Sequence, residues 1–371
     1  MHAPAESTTL PRGLKQDETH ATVTKNSKGL PVTLTCWSHE SHLSQIFTGL
    51  AMLDRQGSIA LTQKFVPAPP PDRTARPHLV HVKNWHCVIE VAGRRLYIDT
   101  HDGDEIAANV ECDVYLKRGK SPLTTDPKVR ALGLNYEVYA DGFDKFEFAR
   151  RVRMRGLVSA AKYLIRHRAS VSDLEGTPLD GNTEPKALFM CRTWEPNHAD
   201  PAKNEERVAI NRMRTDIILG LRKNFGSRCI AGFSPSPHAL RDHREAVLEV
   251  DMSDPASYIK VMRKTPICIT SMGLHGSNGW KLGEYVANFR AIVSETLRQE
   301  APGFVAGEHY LPFQSADECM EAVGRLMQSP SACQNMSAVN RSYYHNTLRP
   351  DRLMARAIEI GAPGALPGVK Q

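Results

Sequence analysis

The chain has no apolar run long enough to cross a membrane, no C-x-x-C pair and no regular cysteine spacing. The first absence argues against a helical membrane anchor. The second, with eight scattered cysteines in 371 residues, argues against a zinc module and for reduced thiols in a cytosolic protein. There is no G-x-S-x-G nucleophile elbow and no G-x-x-x-x-G-K-[ST] loop, so serine-hydrolase and P-loop chemistry lack their elements. No internal repeat or heptad run is visible. The polar N-terminus lacks the apolar core of a secretion signal, and residues 1–30 read as a disordered extension.

The chain does carry an uneven positive charge. Its formal net charge is +6, and Lys145, Arg150, Arg151, Arg153, Arg155, Lys162, Arg166 and Arg168 cluster against the single acid Glu147. Apolar residues interleave with them, so this segment reads either as a solvated basic helix or as a face for an anionic membrane surface. Nucleic acid is not an expected partner, because no binding module accompanies the charge.

Periodicity divides the chain into two α/β units. In the first, "PVTLTCW" reads as a buried strand, and "SHLSQIFTGLAMLDRQG" as a helix with Leu43, Ile46, Phe47, Leu50 and Leu53 on one face. "SIALTQKFV" is a strand and "PAPPPDRTARP" a loop. "HCVIEV-AG-RRLYID" is a hairpin, and "CDVYLKR" and "LNYEVY" are two further strands. Residues 169–186, rich in Gly, Pro, Ser and Asp, read as a linker. Strands and helices then alternate from "ALFMC" through "RCIAGF", "PICITS" and "AIVSE" to an amphipathic helix opened by Ser315 and Glu318, the pattern of a parallel sheet. The expected boundaries are 31–168 and 187–360, with 361–371 a flexible tail.

"GLHGSNGWKLGEY", residues 273–285, places four glycines and two charges where strand "PICITS" gives way to a helix. Ligands in open α/β sheets collect at such strand ends. Gly273, Gly276 and Gly279 let backbone approach a ligand, and helix N-terminal amides favour phosphate. Ser277 or Asn278 is the expected cap. Lys281 opposes the helix dipole there unless an anion sits above it. Glu284, one turn on, is an acceptor for ribose hydroxyls. Arg192, directly after "ALFMC", is expected on the same sheet edge, suited to bidentate phosphate binding. The alternative is a tight turn with an incidental lysine and a surface arginine.

From "CRTWEP" through this stretch to "GEHYLPFQSADECMEAVGRLMQSP" and "YYHNTLRPDRL", the chain resembles the donor half of a GT-B glycosyltransferase of the family-1-type group, found among bacterial polysaccharide and lipopolysaccharide biosynthesis enzymes. The resemblance implies two Rossmann-like domains facing each other across a cleft. It also implies a nucleotide-sugar donor as substrate, a saccharide or lipid-linked saccharide acceptor, no cofactor and no metal. Carried over by position, Glu284 matches the ribose-holding glutamate, Lys281 and Arg192 match phosphate-binding positions, and His275 and Ser277 lie in the loop facing the donor. At Gly276 the chain departs from the pattern, which has a second glutamate there.

In the first half, "YIDTHDGDE" puts Asp99 and Asp102 at the carboxyl end of a strand. Asp102 is the candidate base for the acceptor hydroxyl; His39 and Glu40 are weaker alternatives, and capping or loop-bracing is the plain alternative for both aspartates. Asp99, His101, Asp102 and Asp104 together also suit a divalent metal, which would make the chain a phosphohydrolase or a GT-A-like transferase. A third reading is a non-catalytic binding subunit whose donor site has decayed at Gly276. The enzyme is expected in the cytoplasm, peripheral on the inner membrane if the basic helix docks there.

Overall fold

The computed structural model describes residues 29–66, 85–165, 168–180, 184–248 and 255–366. Residues 1–28 of the N-terminal extension, the "PAPPPDRTARP" loop, Arg166 and the last five residues lie outside them, and Leu30, placed by the sequence in the extension, instead opens the first strand. The expected α/β class is observed, with a six-stranded sheet in the first half of the chain and a five-stranded sheet in the second.

The first sheet has the order β2-β1-β3-β4-β5-β6. Its strands are β1 (Leu30–Cys36), β2 (Ile59–Phe65), β3 (His86–Val91), β4 (Arg94–Asp99), β5 (Val114–Lys117) and β6 (Val129–Ala131). It is not uniformly parallel: β3 runs antiparallel to both β1 and β4. The cause is the hairpin read from the sequence. Val91 pairs with Arg94 across Ala92 and Gly93, both at positive φ, the tight turn whose twist matches that of its strands. Two reversals leave β4 pointing the same way as β1, so the loops after both open at one edge of the sheet.

Helix α1 (Ser44–Arg55) covers this sheet with the predicted face; Leu43, Ile46 and Leu50 are wholly buried. The basic segment forms α2 (Lys145–Ile165), which breaks at Gly156 (φ 79°, ψ 168°). "LNYEVY" is not a strand. Leu134, Tyr136 and Val138 are buried in a core shared with the second unit, and α1 side chains satisfy the backbone: Thr48 donates to the Val138 carbonyl at 2.9 Å and Ser44 Oγ accepts its amide at 3.2 Å. The linker carries a short helix, α3 (Val171–Leu174), whose Val171 and Leu174 join that core.

The second sheet, β11-β10-β9-β7-β8, is fully parallel. It consists of β7 (Ala187–Cys191), β8 (Cys229–Phe233), β9 (Ile267–Thr270), β10 (Ala291–Glu295) and β11 (Leu311–Phe313). Helices α4 (Pro201–Phe225), α5 (Pro237–Asp242), α6 (Pro255–Lys264), α7 (Trp280–Ala287), α8 (Ala316–Gln328) and α9 (Pro330–Tyr343) connect or follow these strands. The inner strands β7 and β9 are buried along their whole length, as a sheet covered on both faces requires. The chain goes from β7 outward to β8, then returns to β9 on the other side. Between β7 and β9 the winding therefore reverses, which is where such sheets open a ligand crevice.

The last helix, α10 (Pro350–Gly361), corrects the expected boundary at 360. Leu353, Met354, Ala357 and Ile358 pack into the first unit's core with Val32, Ile46 and Leu96. Ala362 and Leu366, placed by the sequence in a flexible tail, are buried there too. The contact is close because residue 49 is glycine: a Cβ there would overlap the Pro350 carbonyl.

Candidate functional site at the cleft

The β7/β9 crevice holds the charges expected of it. Arg192 follows β7, is exposed, and has no side-chain partner among the described residues. Lys281, in the first turn of α7, is half-buried with its ammonium 3.8 Å from the Tyr258 ring centroid. Burial lowers its pKa; the Glu284 charge opposes this, and the net shift is downward, with Arg192 adding to it. Two cations within Coulombic reach at one strand edge favour an anion between them. Glu284, half-buried, has its Oε2 buried and without a hydrogen-bond partner. A buried orphan acceptor is costly, and a ligand hydroxyl would satisfy it.

The expected cap is corrected. Gly279 is the N-cap of α7 and no side chain caps it, so the first-turn amides face the crevice uncovered. Ser277 is buried inside the turn, where its carbonyl accepts the Gly273 amide at 2.9 Å. It supports the loop rather than facing outward. His275 (φ 62°) and Gly276 (φ 61°) both sit in the left-handed region and throw the His275 ring out toward the first unit. Beside Gly276 lies Arg298: a Cβ on residue 276 would come within 3.3 Å of its Cδ.

The loop is held by residues that no local motif marks. Arg214, on α4, donates to Ser271 Oγ at 2.9 Å, to the Arg192 carbonyl at 2.6 Å and to the Met272 carbonyl at 2.9 Å. Glu206, two helical turns earlier, accepts the His275 amide at 2.5 Å, and Glu295 accepts the Met272 amide at 2.7 Å.

Across the cleft, the two strand-end aspartates have separate fates. Asp99 turns inward, accepting from Tyr115 (2.6 Å), Lys117 (2.9 Å) and the His101 amide (2.8 Å), with His86 Nε2 at 3.1 Å. Asp102 stays at the surface of the cleft, paired with Arg118. Its burial raises the carboxyl pKa, but the Arg118 guanidinium and then His42, His101 and His275 outweigh that and leave it lowered. Arg118 also donates to the Asn278 carbonyl at 2.8 Å, and Gln299 donates to the Asp102 carbonyl at 2.6 Å, so the two units meet at this residue. The proposed metal cluster does not assemble: Asp99 is committed to the interior, and no group of three potential ligands converges among the described residues. Of the weaker candidates, His39 is buried against Glu147 at 2.7 Å, and Glu40 lies 3.5 Å from Arg155.

Around Asp102 stand aromatic rings. Trp85 lies 5.3 Å from His42 and 4.9 Å from His101, His101 lies 6.0 Å from His275, and Trp280 meets His42 edge-on at 4.8 Å. Trp280 directly precedes Lys281, so these rings join the anion crevice to the acidic loop of the first unit.

No protein-family profile and no curated protein matches the sequence. Among solved structures, the chain is similar to WaaG, a glycosyltransferase involved in lipopolysaccharide biosynthesis, at 10% identity and TM-score 0.41, over 89% of this chain and 99% of that one. It is similar to the C-terminal domain of the group 1 glycosyl transferase LpcC from Francisella tularensis at 10% identity and TM-score 0.32, over 48% of this chain and 98% of that one. It is also similar to UDP-GlcNAc 2-epimerase from Neisseria meningitidis bound to UDP-GlcNAc, at 13% identity and TM-score 0.33, over 63% and 54%. Likeness at these values assigns no family and carries no activity across to this chain.

Proposed function

We propose that this chain is a GT-B-type glycosyltransferase that takes a nucleotide-sugar donor in the β7/β9 crevice and a saccharide acceptor from the first unit's side of the cleft. The observation that carries the reading is the orphan Oε2 of Glu284, buried one turn beyond Lys281 and an uncapped helix start. Ribose hydroxyls would donate to Glu284, and the diphosphate would lie against Lys281, Arg192 and the α7 amides. Those same groups neutralise the leaving diphosphate, so the transfer needs no metal. Asp102 belongs to the acceptor side.

The test is a thermal-shift panel of UDP, GDP, CDP, CMP, TDP and phosphoribosyl pyrophosphate, with EDTA or with added magnesium or manganese. One nucleotide at a hundred times its Kd should add about 2.7 kcal/mol to the folded state, equally in EDTA. Lys281→Ala and Glu284→Ala should each weaken its binding by about tenfold or more, as loss of a charged hydrogen bond does. Unchanged affinity in both variants would remove the basis of the reading.

The acceptor is proposed to be lipid-linked, presented at an anionic membrane surface that the basic segment contacts. Not all of that segment is available: Arg150 and Arg151 are buried on Glu147, at 2.9 Å and 2.7 Å, and Arg150 stacks on Phe47 at 4.0 Å. Beyond the Gly156 break, however, Leu157, Val158 and Leu164 are 71%, 70% and 60% exposed, beside exposed Lys162. Apolar side chains at i, i+1 and i+7 with adjacent cations suit a helix lying in the headgroup region. The protein should co-sediment with phosphatidylglycerol vesicles at low salt, and Leu157→Asp with Leu164→Asp should abolish this. Equal recovery of wild type and double variant would overturn the docking surface.

A further inference from the structure

The segment that follows β10, residues 296–300, is anchored at both ends. The Thr296 amide donates to the Phe313 carbonyl at 3.0 Å, and the Glu300 amide to the Lys120 carbonyl at 2.9 Å. Gln299 is tied to the 273–278 loop, its Oε1 accepting the Asn278 amide at 3.3 Å and its carbonyl accepting from Asn278 Nδ2 at 3.2 Å. Between these anchors stands Arg298, exposed and lying against the same loop. A Cβ on residue 276 would be 3.3 Å from its Cδ and 3.9 Å from its Nη1, so the glycine there leaves the arginine over bare backbone. The other charged groups nearby are committed. Asp102 pairs with Arg118, Lys120 pairs with Glu300 at 2.7 Å, and Glu206 and Glu295 accept the His275 and Met272 amides. Arg298 has no side-chain partner among the described residues. In the adjoining loop Asn278, only 5% exposed, leaves its Oδ1 without a hydrogen-bond partner.

We propose that Arg298 binds a carboxylate on the donor's sugar, so that the donor is a nucleotide-activated hexuronic acid, an inference that rests on the transferase reading above. A nucleotide-sugar in the crevice has a fixed order. With its ribose at Glu284 and its diphosphate at Lys281, Arg192 and the α7 amides, its sugar lies beyond the helix start, against the 273–278 loop. The diphosphate is matched without Arg298, which makes that arginine a surplus cation beside the sugar. A neutral hexose would cover the guanidinium and strip its water without returning a partner, which is unfavourable. A uronic acid returns a planar carboxylate, the group that the guanidinium fork holds with two parallel hydrogen bonds. A sugar hydroxyl is also a donor of the kind that Asn278 Oδ1 lacks. Because the backbone on either side of Arg298 is already anchored, little ordering is left for the ligand to impose. Discrimination then comes from both sides, from the pair formed with a uronic acid and from the cation left unpaired by a hexose.

The test is calorimetric titration of the full chain with the nucleotide that the panel singles out, bare, linked to a neutral hexose, and linked to the corresponding hexuronic acid. For UDP the two sugar forms are UDP-glucose and UDP-glucuronate, with the galactose pair as a second comparison. The uronate form should bind about tenfold more tightly than the hexose form, the scale of one charge-assisted hydrogen-bonded pair. Arg298→Gln, a change at an exposed side chain, should abolish that difference and leave the affinity for the bare nucleotide unchanged. Equal binding of the two sugar forms by the wild type, or a uronate preference that survives Arg298→Gln, would overturn the assignment while the nucleotide site stands. Binding of no nucleotide in any form would overturn the transferase reading, and the assignment with it.

Discussion

Replacing Asp99 with asparagine should cost about 3–5 kcal/mol of folding stability, the scale on which breaking a buried ion pair operates. Asp99 is 1% exposed and Lys117 is fully buried, and their charges meet at 2.9 Å. Burial alone would raise the Asp99 pKa; His86, Lys117 and Tyr115 outweigh it and hold the group far below the usual carboxylate range. The asparagine variant leaves the lysine charge without its counterion in a place that water does not reach. Urea titration at pH 7 checks the loss, and a midpoint within the scatter of wild type would contradict it. Lys117→Met alone should be similarly damaging, whereas the two changes together should cost less than their sum, because no lone charge remains. The pH dependence has a definite sign. A depressed folded-state pKa contributes stability that is present above the unfolded value of about 3.9 and is lost as pH falls through the folded value. The gap between wild type and Asp99→Asn should therefore be constant near neutrality and narrow only in acid. The same network fixes the cleft, since Asp99 holds the His101 amide and Lys117 donates to the His101 carbonyl at 3.3 Å. Loss of the pair would loosen the loop that carries Asp102.

What the sequence shows of this fold depends on how local the cause is. The β3–β4 hairpin was legible because a two-residue Ala-Gly turn between alternating strands has one favoured geometry. The parallel second sheet was legible because its strands are continuously apolar and separated by helices. "LNYEVY" misleads because its apolar alternation suits any extended chain lying against a core, and here side chains of α1 take the place of a partner strand. Nothing in the amphipathic pattern of α10 says which core it fills; the choice is made by the close approach at Gly49, far away in sequence. At the crevice, the positions of Lys281, Glu284 and Arg192 were legible because each sits beside a strand end or helix start. Arg118 was not, since its contact with the Asn278 carbonyl lies across the cleft. Arg214 lay inside a long charged helix, where one arginine among several looks solvated.

Arg214→Met is expected to damage the proposed nucleotide site without touching a ligand. The guanidinium spans the crevice from behind, tying the chain after β7 to the chain after β9 through the Arg192 carbonyl, Ser271 Oγ and the Met272 carbonyl. Methionine fills much of the same volume and removes all three donors, leaving two inward-facing carbonyls unsatisfied, at about 1–3 kcal/mol each. The native state need not pay that in full, because the 271–279 loop can open and let water reach the carbonyls. A global loss of about 2–4 kcal/mol is expected, together with faster amide exchange at 192–194 and 271–279 and unchanged exchange in β1 and β3. Nucleotide affinity should fall by about tenfold or more, since Lys281 and Arg192 are then no longer held at a common distance. Arg214→Lys discriminates between brace and charge. Lysine restores the positive charge but cannot aim three donors in one plane, so if the brace matters, it should resemble methionine in loop exchange. Recovery of affinity by lysine with the loop still open would instead mean that Arg214 acts through its field on the bound anion. The geometry argues for the brace: all three nitrogens are spent on the two loops, and the residue is only 7% exposed.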